Sequence, residues 1–124
     1  MRFFKPVPKR AVPALLNQAD GLVAAIHPSF AHYGGSMNKL NDYMVAGKPI
    51  FYSGPKANTP FEEVDCAEVV PPMDAAALAE SVRRFLKQPV AFRSRALHCR
   101  RYAEENLTAE KLADRLDRFL HALR

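Results

Sequence analysis

Most of the residue types in this chain that could do chemistry fall between His27 and Pro49, in the order His-Pro-Ser-Phe-Ala-His-Tyr-Gly-Gly-Ser-Met-Asn-Lys-Leu-Asn-Asp-Tyr-Met-Val-Ala-Gly-Lys-Pro. Gly34 and Gly35 carry no side chain to keep a ligand from the backbone, and Ser36 stands where an N-cap belongs. A helical pattern follows over Met37 to Ala46, with Gly47 placed to end it. The unpaired N–H groups at such a helix start attract anions, so a phosphate fits there. At about 100° per residue, Gly35, Asn38, Lys39 and Asp42 share one arc, while Met37, Leu40 and Met44 share the opposite one. The second arc packs and the first meets ligand. Lys39 would neutralise phosphate charge, and Asp42, one turn deeper, would accept hydrogen bonds from vicinal hydroxyls such as those of a ribose. The same spacing also describes a solvated face with an i,i+3 Lys39–Asp42 ion pair.

The elements around this segment determine whether it can act. Phe3-Phe4 reads as a strand end. Arg10 to Ala19 has helical spacing, with Pro13 confined to its first turn. Gly21 to Pro28 is a continuous apolar run, the form of a parallel strand buried on both faces. Pro49 to Ser53 is a second strand, followed by the turn-rich Gly54 to Pro60, and Ala67 to Val70 is a third. Asp74 caps a helix to about Lys87, with Leu78, Val82, Phe85 and Leu86 on its apolar face. Helices over Val90–Asn106 and Thr108–Leu123 follow, the last with an apolar stripe of Leu112, Leu116, Phe119 and Leu120. The order implies one parallel α/β domain of three to four strands with flanking helices. Ligands of such sheets bind outside the carboxyl ends of the strands, where the His27–Ser36 loop lies.

Composition narrows the function classes. The chain has 124 residues and a net charge of +5. Residues 1–62 hold 7 basic and 3 acidic groups, and between Glu80 and Arg101 seven basic residues stand against Glu80 alone. Either patch suits a phosphate-bearing ligand or an anionic membrane surface; the Arg-rich run also reads as a helix face whose arginine stems cover apolar surface. No helix-turn-helix, RNP or zinc-finger pattern supports a nucleic-acid partner. No apolar run approaches the roughly 20 residues of a membrane span, and there is no signal-peptide core, so a cytoplasmic protein is expected. Cys66 and Cys99 lack metal-type or paired spacing, and neither a disulfide nor a zinc site is expected of them. His27, His32, His98 and His121 stand singly and read as packing or surface residues.

Taken together, Pro28-Ser29, the run Tyr33 to Ile50, Asn58-Thr-Pro, Glu62-Glu-Val-Asp-Cys-Ala and Val69-Val-Pro-Pro-Met-Asp resemble the C-terminal domain of GT-B glycosyltransferases of family 4. Ser36 to Pro49 is most similar to the sugar transferases of bacterial surface-polysaccharide synthesis. The resemblance spans about Phe3 to Leu120. It implies a Rossmann-like sheet forming a partial C-terminal domain of a GT-B fold, with residues 1–124 as the nucleotide-sugar-binding part and the N-terminal acceptor domain absent. In the family, the acidic residue five positions before the glycine that closes the motif binds the donor ribose, and Asp42 holds that position relative to Gly47. The first Glu of the family's E-x7-E pattern falls at Gly34, a departure that removes the sugar contacts assigned to that Glu.

By the same carry-over, the diphosphate and sugar would lie against Gly34, Gly35, Ser36, Met37, Asn38 and Lys39, and Lys5, Pro6 and Val7 would border the nucleobase. The resemblance implies a retaining hexosyl transfer from a nucleotide-diphosphate sugar, with no cofactor or bound metal. No catalytic residue is expected within these 124 residues, and the isolated chain is expected to be inactive. Expected partners are the sugar donor, the acceptor domain, an anionic membrane at the inner face through the Arg83–Arg101 run, and a second copy through the apolar stripe of the last helix. A non-catalytic nucleotide or nucleotide-sugar binding module is the alternative reading of the same helix start.

Overall fold

A computed structural model describes residues 2–31 and 37–124. Three short strands, β1 (Leu22–Ala25), β2 (Ile50–Ser53) and β3 (Glu68–Val70), form a parallel sheet in the order β1-β2-β3. Leu22 pairs with Ile50 and Ala25 with Ser53 on one side of β2, while Phe51 pairs with Glu68 and Ser53 with Val70 on the other. The helices are α1 (Val12–Asn17), the single turn α2 (Pro28–Ala31), α3 (Asn38–Ala46), α4 (Ala75–Lys87), α5 (Pro89–Asn106) and α6 (Ala109–Ala122). This is a mixed α/β architecture with an open three-stranded parallel sheet and flanking helices.

Side chains alternate across a strand, so each strand feeds two cores. On one face, Ala24, Ile50 and Tyr52 pack with Leu40 and Met44 of α3 and with Cys99 and Ala103 of α5. Phe61, in a single 3-10 turn of the long β2–β3 connection, packs its ring at a tilt against Tyr52 at 5.6 Å and plugs the same face. On the other face, Phe51 meets Phe85 of α4 at 5.7 Å and Phe92 of α5 at 6.0 Å. Helix α5 therefore starts beneath one face and ends against the other. Its buried residues, Ala96, Cys99 and Ala103, are all small and allow α3 to approach closely.

Two sites join the β2–β3 connection and β3 to the helices. Glu68 of β3 accepts from Arg84 of α4 at 2.6 Å and from Arg95 of α5, which also reaches Asp65 at 3.1 Å and the Ala67 carbonyl at 3.0 Å. Tyr102 of α5 donates to the Glu63 carboxylate; burial and that bond push its phenol up to about 12. Gly54 follows β2 where a Cβ would lie 2.4 Å from Ile26 Cγ2, so only glycine fits the close approach.

Several sequence expectations change. Phe3 and Phe4 are not in a strand and are 86% and 84% exposed; Pro6 and Pro8 follow at once and deny the segment ladder donors. β1 is buried on one face only, with Val23 51% exposed, because α4 lies over β2 and β3 and not over β1. Leu86 lies outside the buried face of α4 that holds Phe85. Asp74 does cap α4, accepting from the Ala77 N–H at 2.8 Å. The main correction concerns the cysteines. Cys66 and Cys99 form a disulfide inside the core, linking the approach to β3 with α5 across 33 residues of sequence, a pairing that spacing alone does not reveal. Closing a loop of that length restricts the unfolded chain, so replacing both cysteines with alanine should lower unfolding stability by about 4 kcal/mol in urea titration.

Candidate functional site

Helix α3 carries the residues with the most chemical potential, and its seating follows from its own periodicity. Leu40 and Met44 are buried, and Met37 and Tyr43 pack at the edge of the same cluster. The Tyr43 hydroxyl donates to the Val23 carbonyl of β1 at 3.4 Å, and burial raises its pKa above the usual phenol range. Gly47 ends the helix in the left-handed region at φ 63°, its N–H bonded to the Met44 carbonyl. With that face fixed, Asn38, Lys39 and Asp42 are exposed on the opposite arc, and among the described residues Lys39 and Asp42 form no ion pair.

Asp42 does not face open solvent alone. Together with Asn41 and Val45 it lines one wall of a groove of about 380 Å3 whose other wall is α1, through Val12, Pro13 and Leu16. Lys9 and Arg100 of α5 also line it. Arg100 is braced by its own helix, Nε donating to Glu104 Oε1 at 2.8 Å. The groove thus combines an aliphatic wall, one carboxylate and two cationic side chains. Such a surface suits a ligand with a flat apolar part, hydroxyls and negative charge.

A second hollow of about 270 Å3 lies at the carboxyl ends of β1 and β2, lined by His27, Ser53, Met73 and Asp74. Its polar groups already have partners within the protein. Ser53 Oγ donates to the Pro71 carbonyl, His27 Nδ1 lies 2.7 Å from Ser29 Oγ, and Asp74 Oδ1 caps α4. Among the described residues no group of three His, Cys, Asp or Glu side chains converges as a metal site. The α1–α3 groove is the better candidate.

No protein-family model, curated protein or solved structure matches the chain. The site therefore rests on its own geometry.

Gly34, Gly35 and Ser36 lie outside the described residues; α3 begins at Asn38, so the N-cap position falls at Met37 and not at Ser36 as the sequence suggests. Met37 packs toward the core, while Asn38 and Lys39 point outward on the first turn. Lys5, Pro6 and Val7 are exposed and do not line the groove; Lys9, a few residues on, does. Sequence reasoning missed Lys9, Arg100 and the α1 wall. Val12 and Leu16 fall within the helical spacing of Arg10 to Ala19, and both are half-buried where they border the groove.

Gly47 links this site to its support, because a Cβ there would stand 3.3 Å from Arg100 Cδ in a backbone conformation that L side chains avoid. Gly47→Ala should cost about 1–2 kcal/mol in thermal or chemical unfolding.

Proposed function

We propose that this chain is the donor-binding part of a retaining glycosyltransferase of the GT-B, family 4 type, which takes a nucleotide-diphosphate sugar in surface-polysaccharide or glycoconjugate synthesis. The observation that carries the reading is the convergence of Asp42, Lys9 and Arg100 on the groove walled by Val12, Pro13 and Leu16. In this reading the Asp42 carboxylate accepts hydrogen bonds from the ribose hydroxyls and the aliphatic α1 wall lies against the base. The diphosphate extends toward the amino end of α3, where backbone N–H groups and Lys39 offset its charge.

The physical task of such a site is to stabilise charge that grows on the departing diphosphate while the sugar is transferred with retained configuration. Helix N-termini and basic side chains do this by fixed electrostatics, with donors oriented before the reaction begins. The acceptor is held by a separate domain in this reading, so the chain by itself binds donor without turnover. The site works in the cytoplasm, where the Cys66–Cys99 bridge, 3% and 0% exposed, is shielded by burial from attacking thiolates.

Isothermal titration with UDP, GDP and their sugar conjugates tests the reading. One of them should bind, and Asp42→Ala should weaken it about tenfold or more, corresponding to the loss of about 1.4 kcal/mol. Binding untouched by Asp42→Ala, or absent for every nucleotide, would overturn the proposal. Binding that survives in an otherwise complete transferase assay without any sugar transfer would favour the non-catalytic module, for which the same groove serves.

A further inference from the structure

Helix α5 is tied to the β2–β3 connection along one strip of its surface. Arg95, Cys99 and Tyr102 stand at i, i+4 and i+7, within about 60° of one another round the helix. Arg95 pairs with Asp65 at 3.1 Å and with the Ala67 carbonyl at 3.0 Å, Cys99 is bonded to Cys66, and the Tyr102 hydroxyl donates to Glu63. Their partners lie together just before β3. Ala96, Arg100 and Ala103 form the neighbouring strip, about 100° further round. Ala96 and Ala103 are buried, and Arg100 lies against Gly47 at the end of α3 and lines the α1–α3 groove with Asp42.

Only the Cys66–Cys99 tie is covalent, and it is the one that chemistry can open. These are the chain's two cysteines, so a reduced pair has no other thiol of its own to join, and reoxidation restores the same bridge. The ties at Arg95 and Tyr102 stand on either side of Cys99 and are untouched by reduction, which keeps α5 on the sheet. In a close-packed core, two thiols cannot stay at bonding distance and must move out to van der Waals separation. Cys66 stands two residues before β3, whose ladder with β2 anchors it. The displacement therefore falls on α5 at Cys99, and Arg100 is the next residue.

We propose that the Cys66–Cys99 bridge is a redox switch for the α1–α3 groove: the bridged form holds Arg100 in the groove with Asp42, and the reduced form releases it. The reductant is a cellular dithiol. Its first sulfur, as thiolate, attacks Cys66 Sγ; the Cys66–Cys99 bond breaks, and Cys99 Sγ leaves as a thiolate and is protonated. Its second sulfur then displaces Cys66 Sγ in the same way, so two electrons pass to the chain and the dithiol departs as a disulfide. Cys66 is 3% exposed and Cys99 0%, so attack waits for the β2–β3 connection to lift. By linkage, a ligand that favours the bridged form also resists its reduction. The regulatory role rests on the groove as the ligand site, whereas the coupling of bridge to groove is read without any ligand.

Spectra of the 15N-labelled whole chain, oxidised and in reduced dithiothreitol, test the coupling, with thiol titration to confirm each state. Reduction should shift the amides of Arg100, Asp42, Val45 and Leu16, and reoxidation should return them. Hydrogen exchange at Arg100–Ala103 should quicken about tenfold or more on reduction. Cys66→Ala should match the reduced chain in either buffer, and Cys66→Ala with Cys99→Ala should not respond to dithiothreitol. Whichever of UDP and GDP binds the oxidised chain should bind the reduced chain about tenfold more weakly and slow its reduction. If neither nucleotide binds, the donor reading fails and the amide shifts still decide the coupling. The switch is overturned by free thiols in the oxidised chain, by groove amides that do not move on reduction, or by equal nucleotide binding to both forms. It also fails if circular dichroism shows that reduction unfolds the chain outright.

Discussion

The seating of α5 against α3 is the contact on which the rest of this structure depends. Ala96, Cys99 and Ala103 present a nearly flat surface, and Leu40 and Met44 fill the space between it and the sheet. Burying those two side chains contributes about 2 kcal/mol each, and the small residues opposite them leave little void. Because that face of α3 is committed to the core, its other arc has to face outward. The position of Asp42 beside α1 is a consequence of this packing.

The charged network and the disulfide hold the same arrangement from the other side. Glu68, with a side chain only 13% exposed, draws in Arg84 and Arg95 and so fixes α4 and α5 to β3. Removing either arginine would leave a nearly buried carboxylate with less compensation. The Cys66–Cys99 bridge sits between this network and the α3–α5 contact. By contrast, α6 meets the body mainly through α5, and Arg115 approaches Glu63 at 3.8 Å. Its Leu112, Leu116, Phe119 and Leu120 stay between 44% and 61% exposed. The molecule is tightly specified around the sheet and loosely specified at its last helix.

The elements that local rules govern were legible in the sequence. Asp74 at the start of α4, Gly47 at the end of α3 and the packing arc of Leu40 and Met44 all follow from capping chemistry and helical period. The strands were legible as apolar runs, but their burial was not, since whether Val23 is covered depends on where α4 lands. The disulfide was hidden for a similar reason: 33 residues separate its partners, and only the packing of α5 under the sheet brings them together. Lys9 and Arg100 belong to the site through tertiary placement alone, from segments far apart in the chain. Arg100 looked like one of seven basic residues, and ion pairing distinguishes the roles that composition merged.

Backbone amide shifts test whether ligand occupies the groove between α1 and α3. A 15N-labelled sample titrated with UDP and GDP should show its largest changes at Asn38–Val45 and at Val12–Asn17. Changes concentrated instead at His27, Ser53 and Asp74 would put the ligand in the other hollow and contradict a site between α1 and α3, as would a spectrum that neither nucleotide perturbs.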